Sequence, residues 1–223
     1  MKTALLMMSL VLLGGCVANG GPAQWLALPG SASSCARADA TQALALSAAD
    51  DLLADGRPYA ALAHLEEMPA NLLQVRARKA KVLRMLGSAE AEPLYRGLLG
   101  SCMAAEGEHG LGQIAASRGD NVQAQQHLQR AVKMNPTDEK IRNDLGVVYF
   151  KQGLLEKARF EFLTAIELKD SDRLAAVNLV SLLLYQDKFQ QAADLVSRFG
   201  LSAAQFSEAQ ARAEQLKPAS GRS

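Results

Sequence analysis

The chain has 223 residues and a formal net charge of +1, with only 5% aromatic residues. Its length suits one or two domains, and a near-neutral chain exerts no electrostatic pull toward nucleic acid, so no nucleic-acid partner is expected. Ala, Leu, Gln and Glu are plentiful; these side chains lose little rotamer freedom in a helix, and no alternating β-branched run predicts a sheet.

The first segment stands apart. Lys2 precedes an apolar run, residues 4–13 (ALLMMSLVLL). That run is too short for a membrane-spanning helix, which needs roughly 20 residues. Followed by Gly14 and Gly15, it reads as a secretory signal peptide over residues 1–15. Leu13, Gly14, Gly15 and Cys16 resemble the bacterial lipobox, although Gly14 is less usual there than Ala or Ser. The resemblance implies lipidation of Cys16, which becomes the new N-terminus. The alternatives are an ordinary cleaved signal with an incidental cysteine, or a buried cytosolic helix. Two or more acyl chains, at about 0.8 kcal/mol per buried methylene, make a stable anchor. Lipoprotein sorting reads Asp after the lipidated cysteine as inner-membrane retention. Val17 stands there instead, which implies the outer membrane, facing the periplasm.

Residues 16–40 are rich in Gly, Ser, Ala and Pro and read as a flexible tether. Trp25, Leu26 and Leu28 lie inside it, where they form a short segment able to dock on the first helices. Cys35 and Cys102 are the other two cysteines. An oxidising periplasm allows a disulfide between them. Closing that loop would favour the folded state by roughly 4 kcal/mol; the alternative is a buried small residue at each place.

From here a repeat governs the pattern. Comparing 105–138 with 139–172 pairs Leu111 with Leu145, Gly112 with Gly146, Ile114 with Val148 and Gly119 with Gly153. The register continues through Ala124 and Ala158, Leu128 and Phe162, Ala131 and Ala165, Val132 and Ile166. An ungapped repeat of this period predicts stacked supersecondary units. The second copy reads LGVVYFKQGLLEKARFEFLTAIEL, and it resembles the tetratricopeptide repeat (TPR). Leu145, Gly146, Tyr149, Ala158, Phe162 and Ala165 occupy that family's signature places. Pro136 closes the preceding copy as the family pattern requires; Asp170 departs from it in this one.

The resemblance implies helix pairs, A and B. Small Gly146 and Ala158 let the backbones approach, while Leu145, Tyr149 and Phe162 fill the space beside them. One pair cannot cover its own apolar face, so several must stack. Gly119, Asp120 and Gly153 mark the turns after helix A. Weaker copies flank these two. Residues 173–206 hold Leu179, Leu183, Ala192 and Val196, with Asp187 in place of the turn glycine. Residues 72–104 hold Val82, Ala91, Tyr95 and Leu98, with Gly87 displaced. Residues 42–71 hold Leu52, Gly56, Ala61, Leu65 and Met68 as a shortened pair. The expected fold is all-α: a TPR solenoid of about five helix-turn-helix pairs over 41–204, then a C-terminal capping helix over 205–217. Ser202 and Gln205 form a capping-box start for that helix, and 218–223 reads as a disordered tail.

Catalytic constellations are missing. His64, His109 and His127 form no HExxH or CxxC-type ligand set; His64 and His127 share one repeat position on helix B and read as solvated. No Gly-rich phosphate cradle and no GxSxG motif occurs. The expectation is a non-enzyme with no cofactor, no metal site and no small-molecule substrate.

A TPR stack uses its concave groove, lined by helix A residues that do not face the core. In register these are His109, Gln113, Lys140, Asn143, Val147, Phe150, Lys151, Val177, Asn178, Ser181 and Tyr185. Phe150 and Tyr185 are the candidate anchors, since aromatics bury much area with few rotors to freeze; the alternative is that both fold back on neighbouring helices. Asn143 and Lys151 resemble part of the carboxylate clamp of chaperone-binding TPR proteins. The full set of Lys and Asn places is missing, so a clamp for a C-terminal carboxylate is not expected.

A lipobox, a tether and about five TPR pairs resemble the Flp/Tad (tight adherence) pilus assembly lipoproteins of the TadD type. In wording the likeness rests mainly on residues 139–200. It implies a protein partner, a secretin subunit or another pilus-assembly component, and a role in secretin assembly or localisation. A pilotin or adaptor lipoprotein of another envelope system shares the fold and stays open. An envelope hydrolase with a TPR part is disfavoured by the missing catalytic set.

Overall fold

The computed structural model describes residues 38–169 and 173–217. All of them belong to one unit, Ala32–Ser223.

The described residues hold eleven α-helices and no strand: α1 (Ala40–Ala54), α2 (Pro58–Glu66), α3 (Leu73–Met85), α4 (Ala91–Arg96), α5 (Ala104–Ser117), α6 (Asn121–Met134), α7 (Glu139–Lys151), α8 (Leu155–Leu168), α9 (Arg173–Tyr185), α10 (Phe189–Phe199) and α11 (Ala203–Leu216). Consecutive helices pack together as five A/B pairs up to α10, and α1, α3, α5, α7 and α9 also touch one another in sequence. The first helices of successive pairs therefore share one face. This is the TPR solenoid anticipated from the repeat.

Local chemistry sets the boundaries. Asp39 and Gln42 close a capping box that starts α1, and Ser202 and Gln205 do the same for α11, each satisfying backbone donors that a helix start leaves open. Between A and B the chain turns through a left-handed residue. At Gly153 (φ 74°) this costs nothing, but in the fifth pair Asp187 takes the same role at φ 57°, where its Cβ crowds the backbone. The shortest second helix belongs to the second pair, not the first: α4 spans six residues, cut off by Gly97 and by Gly100 at φ 79°.

The core follows the repeat. Leu46, Leu65 and Val82 belong to a cluster under α1–α3, and Leu83, Tyr95, Leu98 and Leu111 to one under α3–α5. Leu128, Leu145, Phe162, Leu179 and Leu183 belong to a larger one running on to α11. Leu62 packs against both of the first two. Gly146 shows why one register position is small. A Cβ there would stand 2.6 Å from the Phe162 ring, and one on Gly112 would stand 2.7 Å from Leu128. In the fifth pair the same two places hold Val180 and Val196, volume moving from one helix to the other.

Helix α11 breaks the pattern. It packs along α9 rather than α10, its fully buried Ala209 and Ala213 allowing close approach. As a result α9 is buried without interruption from Ala175 to Leu184, with only Asn178 and Ser181 polar in that stretch.

Candidate functional site

A groove of about 450 Å³ runs across the shared face of the first helices. From α3 it is lined by Ala77, Arg78, Lys81 and Arg84; from α5 by Glu106, His109, Gly110 and Gln113; from α7 by Glu139, Lys140, Asn143 and Asp144; and from α9 by Leu174 and Ala175. Tyr95 and Met103 form part of the wall.

Its floor is a polar ladder crossing three pairs. Asp144 Oδ2 accepts from His109 Nε2 and from Gln113 Nε2, both at 2.7 Å. Asn143 Nδ2 donates to Asp144 Oδ1 at 3.3 Å, and Asn178 Nδ2 donates to Asn143 Oδ1 at 2.7 Å. Burial disfavours the Asp144 charge, but the hydrogen bond and charge of His109, with Gln113 and Asn143, outweigh it and hold the carboxyl below its ordinary pKa. The ladder fixes α5, α7 and α9 in one register, because each buried polar group loses its partner if a helix slides.

The α3 end is cationic. Arg78 is satisfied by Asp50 Oδ2, at 3.0 Å from Nε and 2.8 Å from Nη2. Lys81, Arg84 and Lys140 line the groove with no carboxylate in ion-pair reach among the described residues. Burial first, then repulsion from Lys140 and the neighbouring arginines, lowers the Lys81 pKa, with Asp50 pulling the other way.

The expected groove line therefore divides. His109, Gln113, Lys140 and Asn143 line the groove. Val177, Asn178 and Ser181 are buried instead, as is Phe150 at 4% exposure. Val147 is half-buried against the core, and Lys151 is exposed but outside the groove lining. Phe150 and Tyr185 meet edge to face, their ring centroids 5.4 Å apart, so the candidate anchors hold each other rather than a guest. The reason is α11: packed along α9, it turns that helix into core. Cys16 and Cys35 lie outside the described residues. Cys102, in the turn before α5, is disulfide-bonded, and its partner lies outside the described residues too. Among the described residues no group of three or more His, Cys, Asp or Glu could hold a metal ion, and no helix is long and apolar enough to cross a membrane.

Arg78, Lys81 and Arg84 were not anticipated, because the offset of the later copies does not carry back to α3. Aligning the turn glycines Gly87 and Gly119 instead sets Ala77 beside His109, Arg78 beside Gly110 and Lys81 beside Gln113; that shorter spacing was the available signal. The expectation of solvated histidines on helix B is corrected as well. His64 Nε2 lies 3.0 Å from Ala45 O, and His127 Nδ1 lies 2.6 Å from Glu108 Oε2. Each reaches back to the first helix of its own pair.

The tetratricopeptide repeat family model matches residues 115–177. A TPR repeat-containing protein of Pseudomonas aeruginosa is 40% identical over 202 residues, covering 91% of this chain and 80% of the relative. Among solved structures, PilF of Pseudomonas aeruginosa superposes with a TM-score of 0.59 at 18% identity, over 78% of this chain and 87% of PilF. A thermophilic TPR protein of Thermus thermophilus gives 0.59 at 22% identity, over 78% of this chain and 97% of the other. At such identities the structures speak for the fold alone; with the 40% identical relative and five stacked helix pairs, the chain belongs to the tetratricopeptide repeat family, whose stacked helices serve as scaffolds for protein–protein interaction.

Proposed function

We propose that this chain is a lipid-anchored scaffold on the periplasmic face of the outer membrane. It takes a segment of a partner protein into the groove across α3, α5, α7 and α9, and it serves Flp/Tad pilus assembly by helping the secretin assemble or localise. The groove carries this reading: four of the five first helices contribute to it, and its walls mix apolar surface with polar groups that can fix a guest's orientation. The lipobox-like residues Leu13 to Cys16 and the resemblance over residues 139–200 support the anchoring and the pilus role. Such a scaffold needs no energy source, since binding stabilises one assembly state and the lipid supplies position.

Two measurements test it. Cys16→Ser should move the chain from the outer-membrane fraction to the soluble periplasm and abolish acyl labelling. A photoreactive amino acid placed at Gln113 should cross-link to a secretin subunit or another pilus component in cells. Unchanged fractionation of the Cys16 variant removes the anchor; cross-links confined to proteins outside the pilus system remove the Flp/Tad role.

A further inference from the structure

The groove is not electrically uniform. At its α3 end, Lys81 and Arg84 face Lys140 from α7. The carboxylates nearby are mostly committed: Asp50 to Arg78, Glu139 to Lys169 at 3.2 Å, and Asp144 to His109 and Gln113. Glu106, at the groove's edge, has no cation in ion-pair reach among the described residues. Arg84 Nε is buried with no acceptor. Three cations thus line one end of the groove, Lys81 and Lys140 exposed and Arg84 half-buried, and Lys81 is repelled by both of the others. A carboxylate from outside would offset that repulsion and accept charge-assisted hydrogen bonds.

The surroundings narrow what that anion can be. Tyr95, Met103, Ala77 and Leu174 bring apolar surface to the same walls, so the guest has apolar side chains beside its negative groups. Glu106, Glu139 and Asp144 line the same groove and would repel a continuous polyanion such as nucleic acid. Carboxylates spaced along a peptide can approach the cations and avoid these acids.

We propose that the α3–α7 end of the groove seats the side-chain carboxylates of an acidic, apolar-flanked peptide segment, with Lys81, Arg84 and Lys140 as its counterions. This rests on the groove being the peptide site. It differs from a C-terminal carboxylate clamp in that the recognised groups are Asp or Glu side chains within a segment.

The test uses the full chain and short fluorescent peptides matched in leucine content. Three are blocked at both ends and rich in Glu, Gln or Lys; a fourth is Gln-rich with a free C-terminal carboxylate. Fluorescence anisotropy should show the Glu-rich peptide bound about tenfold more tightly than the blocked Gln-rich one, the scale of one charge-assisted contact. Lys81→Gln with Lys140→Gln should erase that preference while leaving helical content unchanged. Lys133→Gln, exposed on α6, should alter neither. Equal affinity for Glu-rich and Gln-rich peptides, a preference that survives the double substitution, or a preference for the free C-terminus alone would each overturn the proposal and leave the groove reading standing. No binding of any peptide would overturn both.

Discussion

Arg142 and Glu108 hold the same place in consecutive pairs and carry opposite charges. Arg142 Nη1 donates to Glu161 Oε2 at 2.9 Å; one pair earlier, Glu108 accepts from His127 at 2.6 Å and from Arg130 Nε at 2.7 Å. Both bridges join helix A to helix B of one pair, and Glu108 and Glu161 are both buried. The repeat keeps the bridge and lets its polarity reverse. Glu161→Arg should therefore destabilise the chain by about 3–5 kcal/mol, the cost of an unpaired buried charge. Adding Arg142→Glu should recover most of that loss in urea denaturation. A double variant no more stable than the single one would show that packing, not the charge pair, sets the energy.

The same carboxylates give the fold a direction with pH. Burial disfavours the charge on Glu108, yet hydrogen bonds from Arg130 and His127 hold its pKa below the ordinary value, and Asp144 is lowered likewise. A depressed folded pKa contributes stability that is present above the unfolded pKa and lost as pH falls through the folded one. The urea midpoint should thus hold from neutrality to about pH 5 and then fall. Glu108→Gln should be less stable at neutral pH and show a shallower acid decline; an equally steep decline would assign the titration to other groups.

Phe150 and Tyr185 lie with ring planes at 86°, joining α7 to α9. Phe150→Ala should cost about 3–5 kcal/mol as a large-to-small core change. A double-mutant cycle with Tyr185→Ala should return a coupling of about 0.5–1.5 kcal/mol. Loss of partner binding in either variant at full retained stability would instead make these rings part of the binding surface.

Gly146 and Phe162 share one volume. Gly146→Val drives a side chain into the ring and should destabilise by about 1–3 kcal/mol or more. Combining it with Phe162→Val reproduces the fifth pair, where Val180 and Val196 stand. The double variant should be the more stable of the two by thermal melting.

The disulfide at Cys102 should map to Cys35 in non-reducing peptide analysis of the mature chain. Cys35→Ser would then lower stability by roughly 4 kcal/mol through loop-closure entropy. A mature, folded chain with Cys35 as a free thiol would exclude that pairing.

The sequence by itself determined the helix pairs, their count and their core. Leu111, Leu145 and Leu179 are buried, and so are Ala124, Ala158 and Ala192, because stacked pairs place the same register position in the same environment each time. Caps and turns were equally local: Ser202 with Gln205 needs only its own few residues, as does Gly153. Tertiary structure alone decided the site. Whether Val177 and Ser181 meet a guest or a neighbouring helix depends on where α11 lies, and α11 leaves the repeat to pack along α9. The cations of α3 reached the groove through a spacing that the later copies do not share. A repeat pattern encodes contacts between adjacent units; it carries no information about a terminal helix that folds back, or about charges that become neighbours only when two pairs of different length are stacked.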